Sequence, residues 1–469
     1  MLFSSLVFLF TFLPLFFICY YIFKKRKTRN IVLLIFSLGF YAWGEPIYIL
    51  LMILSIIFNY YIALKIDNAN KNNIKRKQWF IFGIVINILA LVFFKYLDFL
   101  INSINMVPSI NIPLAQIALP IGISFYTFQI MSYIIAVYQK KVKVQKDILY
   151  LGCYIAAFPQ LIAGPIVRYD DVDEEIEERN ENFSLFATGI RRFIIGFGKK
   201  IIIADNLAFV ASQIFLGSVA DYGFIGAWVG IICYTLQIYY DFSGYSDMAI
   251  GLGKMIGFNY LENFNYPYIA KSVTEFWKRW HISLSSFFRD YVYIPLGGNR
   301  CSIAKNLRNI LVVWLLTGLW HGAEWNFVLW GGYFGVVLMI EKYLIGGLLE
   351  KCPNIIKHIY TLLIVIISWV LFRSVSIKEI LDTLSSMFFI NGFGNIKYLE
   401  YVQIIQVKYI IVFIVGIIAS APIKNLFLTR IENNPKFQYL GDVLLVLVLL
   451  LSLLMILSGS YSPFIYFRF

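Results

Sequence analysis

Apolar runs long enough to enter a lipid bilayer recur along this chain from its first residues to its last. No other feature limits the fold as tightly, because backbone N–H and C=O groups in hydrocarbon must be paired within the structure, as a helix pairs them. The runs fall at 2–23, 31–44, 46–64, 79–100, 117–139, 147–163, 186–219, 224–258, 306–320, 324–345, 357–373, 407–423 and 440–459, and those at 186–219 and 224–258 have room for two helices each. A crossing helix needs about 20 residues, so some runs are too short, and the expectation is about 11 spans plus a few re-entrant or interfacial helices. The chain reads as an all-helical polytopic membrane protein, one domain over 1–469, with neither internal repeat nor low-complexity linker.

Composition agrees. Hydrophobic residues make up 60% of the chain and charged residues 14%, against about 45–50% and about 25% in soluble domains. The surplus exceeds what a globular core can hide, so lipid is part of the solvent. The net charge of +13 would suggest nucleic acid in a soluble protein. Here the cations cluster beside apolar runs, the pattern of cytoplasmic loops, and no nucleic-acid partner is expected. The five scattered cysteines contain no C-x-x-C pair, which indicates neither a zinc site nor a disulfide framework.

The cations also set an orientation. Lys24, Lys25, Arg26, Lys27 and Arg29 follow the first apolar run, whereas a cleaved signal peptide carries its charge before it. The loops 24–29, 65–77 and 140–146 are basic, and 101–116 is uncharged. Basic loops inside and the uncharged one outside place the N-terminus outside. The acidic stretch 168–182 reads as a solvated surface segment.

Residues 259–309 interrupt the apolar rhythm with interleaved cations, tryptophans and tyrosines. That mixture marks a membrane interface. Residues 272–290 are expected to form an amphipathic helix at or dipping into the cytoplasmic face, with a plain surface helix as the alternative. Pro295-Leu296-Gly297-Gly298-Asn299 then makes a turn.

Three histidines are present. His358, beside Lys357, reads as interfacial. His321 lies between two strongly apolar stretches in Leu319-Trp320-His321-Gly322, and an ionisable group at membrane depth is a functional-site hypothesis by default. Gly318 and Gly322 would let a helix or substrate approach closely. Imidazole suits a general base near neutrality, although residue type alone leaves a buried structural histidine open. His281 sits in Trp277-Lys278-Arg279-Trp280-His281-Ile282-Ser283-Leu284-Ser285. On a continuous helix it would share a face with Trp277 and Ser285, either orienting a substrate or serving structure. The chain lacks a Gly-x-Ser-x-Gly elbow. Gly251-Leu252-Gly253-Lys254 lacks the rest of a P-loop, and the histidines have no partners at metal-ligand spacing.

Several stretches together resemble the membrane-bound O-acyltransferase family, in its alginate O-acetylase form. They are Met1–Ser5 through Phe12-Leu13-Pro14, Tyr41–Pro46, Leu119–Gln129, Phe158–Ile166, Phe276–Arg300, Leu319–Gly322 and Ser462–Phe467. The resemblance covers nearly the whole chain in order. It implies helices ringed around a thinned centre and a tunnel from the cytoplasmic side, with His321 as the catalytic residue and His281 as its second histidine. It also implies an acyl thioester donor, acetyl-CoA, with no resident cofactor or metal, in a bacterial plasma membrane. Trp277, Lys278, Arg279, Ser283, Ser285, Arg289 and Trp320 become the candidate substrate-binding residues, with the cations attracting donor phosphates. The acceptor would be an extracytoplasmic SGNH-type partner or a peptide tail within a polysaccharide synthesis and export complex. The teichoic-acid D-alanyl transferase branch shares the histidines but differs in its N-terminal region. The other classes weighed are a precursor transporter, which usually shows inverted repeats not found here, and an export scaffold.

Overall fold

The computed structural model describes residues 1–162, 164–216, 219–394, 406–422 and 435–459. Among them the regular structure is helical throughout. Among the described residues six helices are long and apolar enough to cross a membrane, namely Ile49–Asn68, Asn73–Ile104, Val219–Met255, Trp325–Lys351, Asn354–Arg373 and Gln438–Leu457. Shorter apolar helices lie at Phe8–Ile22, Ile123–Tyr138 and Val407–Ala419. The fold is that of a multi-pass membrane protein. Ala163 of the Phe158–Ile166 stretch and the Ser462–Phe467 motif lie outside the described residues.

The chain forms two compact units, Met1–Phe193 with Met248–Leu261, and Ile194–Asp247 with Glu262–Phe469. The first contains α1 (Leu13–Ile22), α2 (Arg26–Gly44), α3 (Ile49–Asn68), α4 (Asn73–Leu91), α5 (Leu97–Ile104), α6 (Ile123–Tyr138), α7 (Ile148–Ala156), α8 (Phe158–Leu161) and α9 (Asp173–Glu177). Its three basic loops meet at one end. Lys27 Nζ pairs with Asp147 Oδ2 at 3.0 Å, the Tyr60 hydroxyl donates to the Lys146 carbonyl at 2.7 Å, and Arg76 donates to the Tyr138 carbonyl. At the other end the Tyr48 hydroxyl donates to the Ala118 carbonyl at 2.8 Å and Ile121 N–H to Glu45 at 3.2 Å. Between α3 and α4, Asn59 and Asn87 exchange reciprocal amide bonds of 3.2 and 2.7 Å, the polar pairing that holds helices together in hydrocarbon.

One expectation changes here. The stretch 168–182 is not wholly solvated. Arg179 is buried and donates to Asn30 at 2.7 Å and Tyr20 at 2.8 Å. Glu181 gathers Arg26, Arg29 and Tyr20, so part of the acidic run exists to neutralise the cations of the first basic loop. The run 147–163 stops after Ala156 and restarts as one short turn with Pro159 near its start, and neither piece can cross.

The chain passes between the units within α10 (Phe183–Gly198) and again within α12 (Val219–Met255). In the second unit a π-helical turn, Lys199–Ala204, joins α10 to α11 (Asp205–Leu216) with no break in the helical backbone, so the run 186–219 is, as far as Leu216, one helix with a π-turn and not two pieces. The run 224–258 is likewise not divided in two. It lies largely in one long helix, α12, kinked at Gly223 (φ 57°, ψ −153°). Its later glycines serve packing instead of turning. A Cβ on Gly244 would lie 2.7 Å from the Gly196 carbonyl oxygen. There follow α13 (Val273–Arg279), α14 (Ile282–Phe288), α15 (Ile303–His321), α16 (Trp325–Ile340), α17 (Gly346–Lys351), α18 (Asn354–Arg373), α19 (Ile377–Met387), α20 (Val407–Ala419) and α21 (Pro435–Leu457). An aromatic-rich core joins α11–α13, α16 and α18. Inside it Lys200 Nζ pairs with Asp205 at 2.6 Å and Asp241 at 2.8 Å.

Candidate active site

Glycine contact fixes the floor of the site. A Cβ on Gly318 of α15 would lie 2.2 Å from the Phe327 carbonyl oxygen, and one on Gly331 of α16 would lie 2.3 Å from the Trp314 carbonyl oxygen. The two backbones therefore touch where only glycine fits. That approach puts His321, the last residue of α15 and 2% exposed, against Trp330 of α16 with ring centroids 5.0 Å apart, and against Phe372 of α18 at 5.3 Å.

The expected helix 272–290 is broken. α13 ends at Arg279 and α14 begins at Ile282, with His281 between them in the left-handed region (φ 45°, ψ 55°). For a residue with a Cβ that conformation is strained. Two bonds hold it: Ile282 N–H donates to the Asn263 carbonyl at 3.0 Å, and Ser285 N–H to the His281 carbonyl at 3.0 Å. The break removes His281 from the face it would have shared with Trp277 and Ser285. Those two line a cavity, whereas His281 turns into the core, fully buried.

There it meets the other histidine through one ring. Trp320 stands 5.7 Å from His281 and 5.0 Å from His321, centroid to centroid. Phe242 of α12 covers His281 at 4.7 Å. Burial pushes the His281 imidazole down to about 3, so it is neutral. Two histidines 40 residues apart in sequence thus flank one buried indole in the second unit.

Beside them lies a cavity of about 760 Å³. Its apolar lining includes Trp277, Leu284, Phe288 and Trp314, and its charged lining includes the cations Lys271, Arg289, Lys342 and Lys357 and the carboxylates Glu275, Glu341 and Glu350. Thr317, one turn before His321 on α15, also lines it. Glu341 shapes this wall by accepting from the backbone N–H of Val273 at 2.7 Å and Thr274 at 2.9 Å, capping the start of α13 from a distant helix.

Residues 139–378, which hold both histidine stretches, match the model of the membrane-bound O-acyltransferase family. The chain belongs to that family. It is 38% identical over 507 residues to a probable alginate O-acetylase of Azotobacter vinelandii, covering 100% of both chains. It is 32% identical over 518 residues to a peptidoglycan O-acetyltransferase of Helicobacter pylori, covering 100% of this chain and 98% of that one. To a teichoic acid D-alanyltransferase of Bacillus subtilis it is 31% identical over 237 residues, 48% of this chain and 59% of the other. This membrane-bound O-acyltransferase is therefore an acyl-transferring enzyme.

The sequence-derived substrate residues separate into two groups in this acyltransferase. Trp277, Ser285 and Arg289 line the cavity. Lys278 is exposed, and Arg279 is committed to Glu275 at 2.9 Å and to the Asn265 carbonyl at 3.0 Å. Ser283 is buried against Asn263, and Trp320 lies between the histidines. His358 bonds to the Ala270 carbonyl at 3.2 Å and is not among the cavity-lining residues. Sequence reading missed Asn263 and Glu341, whose partners are 18 and 68 residues away.

Proposed function

We propose that this enzyme is an O-acetyltransferase that passes an acetyl group from cytoplasmic acetyl-CoA across the membrane, for O-acetylation of an exported cell-surface polysaccharide. The observation that carries this is the cavity reaching Thr317, one turn from His321, with cationic side chains and an apolar lining. Such a lining suits a phosphate-bearing thioester with a small acyl group. The named activities of the alginate and peptidoglycan relatives support acetyl as that group.

In this reading His321 takes the proton of the acceptor hydroxyl as its oxygen bonds to the acyl carbon. The carbon–sulfur bond breaks and the proton passes to the departing thiolate. Trp277, Ser285 and Arg289 contact the donor. The basic loops face the cytoplasm and the N-terminus lies outside. The hydroxyl belongs to an extracytoplasmic SGNH-type partner or a peptide tail, which relays the acyl group to the polymer. No resident cofactor or metal takes part.

The test is incubation of the purified protein in lipid with radiolabelled acetyl-CoA and candidate extracytoplasmic partners, wild type beside His321→Ala. Label moved by the wild type alone supports the reading. Transfer from a carrier-protein thioester but not from acetyl-CoA would place the enzyme in the D-alanyl branch. An active, correctly inserted His321→Ala protein would remove His321 from the chemistry.

A further inference from the structure

Asn263 is not among the residues that line the cavity, yet its side chain is fully buried and bonded at both ends of its amide. Its Oδ1 lies 3.2 Å from Ser283 N, 2.9 Å from Ser283 Oγ and 3.2 Å from His281 Nδ1. Its Nδ2 donates to Ser246 Oγ of α12 at 3.2 Å. The backbone N–H of Ser283 can only donate, so the atom facing it is the amide oxygen and the amide cannot be turned over. An amide oxygen can only accept. His281 Nδ1, facing that oxygen, therefore carries the proton, because a bare Nδ1 would set two lone pairs against each other at 3.2 Å.

We propose that Asn263 is a positioning residue that fixes His281 as its Nδ1–H tautomer and thereby leaves Nε2 as a lone pair for the reaction. Nε2 is buried and has no hydrogen-bond partner among the described residues. A bare Nε2 can accept a hydrogen bond but cannot donate one to the oxyanion of the tetrahedral intermediate. The same Asn263 holds the strained left-handed turn through its backbone carbonyl, so one residue sets both the position and the tautomer of the ring. Asn263, Ser283, Phe242 and Trp320 pack against His281, and none is charged. This assignment rests on the acetyltransferase reading for its consequence but not for its tautomer.

Two measurements test it. With three histidines in the chain, ring-nitrogen NMR of the full protein in lipid, histidine-labelled and assigned with His281→Gln, reads the tautomer directly. Protonated Nδ1 and bare Nε2 at His281 are expected, and a protonated Nε2 overturns the proposal whether or not the protein transfers acetyl. In the transfer assay Asn263→Leu should lower kcat by about 10- to 100-fold with little change in KM. Asn263→Asp keeps the acceptor facing Nδ1–H and should retain more activity than Asn263→Leu. An Asn263→Asp enzyme no better than Asn263→Leu, or a fully active Asn263→Leu enzyme, overturns the role. A wild type that transfers no acetyl group, with Nδ1–H still seen at His281, overturns the acetyltransferase reading and leaves the tautomer assignment standing.

Discussion

Trp320 stands edge-on to His281, with ring centroids 5.7 Å apart and planes at 67°. It precedes His321 directly and contacts that ring as well, so one indole sets the separation of the two imidazoles. Removing it should let both rings drift by more than the tolerance of a near-attack geometry, in which about 1 Å of misplacement costs about 100-fold. Trp320→Ala is expected to lower acyl transfer by about that factor. Trp320→Phe, which keeps a flat ring, should lose less. Steady-state transfer rates in lipid decide it, and equal activity of both variants with wild type would remove Trp320 from this role.

The contact of α15 with α16 offers a structural test. A methyl on Gly331 would lie 2.3 Å from a backbone oxygen, which cannot swing away as a side-chain tip can. Gly331→Ala should therefore destabilise by about 1–3 kcal/mol or more. Gly332, with nothing within 4 Å of its Cβ position, should tolerate alanine. Thermal melting in detergent separates the two.

Much of this was legible in the sequence, and the physics explains which part. Helical spans and the grouping of basic loops follow from composition along the chain, because lipid penalises unpaired backbone and charge at every position. His321 stood out for the same reason. What could not be read was pairing at a distance. Nothing local announces that Asn263 will meet His281, that Glu341 will cap α13, or that Glu181 will absorb Arg26 and Arg29. The break at His281 was missed because apolar and aromatic residues continue at helical spacing through it. The tertiary clamp by Asn263 helps hold a left-handed residue there.

The buried Lys200 group makes a third prediction. Its ammonium lies between Asp205 and Asp241. Lys200→Met would leave two carboxylates buried together without their cation. Breaking a buried pair in this way costs about 3–5 kcal/mol. The single variant should melt well below wild type, and Lys200→Met with Asp241→Asn should recover part of the loss. If the single and double variants melt alike, the ion group carries little of the stability.

His281 supplies a pH dependence of stability. Its folded-state value is depressed to about 3 from an unfolded value of 6.5. Between these values the unfolded chain binds a proton that the folded chain does not, so stability rises with pH across this window and falls as pH drops through it. At and above neutral pH the ring costs nothing, since both states are uncharged. The melting temperature should therefore decline from about pH 6.5 downward, and His281→Gln should flatten that decline. Melting curves of the two proteins from pH 7 to the acid limit of the lipid or detergent provide the comparison. Parallel curves would mean that other groups set the acid sensitivity.

The cations of the cavity make the last prediction, which depends on an anionic donor. Lys342 is committed to Asn299 at 2.6 Å and Asn306 at 2.9 Å, and Lys357 to the Glu350 carbonyl at 2.9 Å. Lys271 is exposed at the cavity and is the cation to reverse without dismantling a network. Lys271→Glu should raise KM for a phosphate-bearing thioester while leaving kcat near wild type, because a charge at the mouth acts on capture and not on bond making. The effect should shrink as salt shortens the Debye length from about 10 Å at 0.1 M to about 3 Å at 1 M. A thioester of the same acyl group without phosphates should show no difference between the two proteins. If Lys271→Glu changes kcat instead, or alters the neutral donor equally, the cavity is not where the phosphates bind.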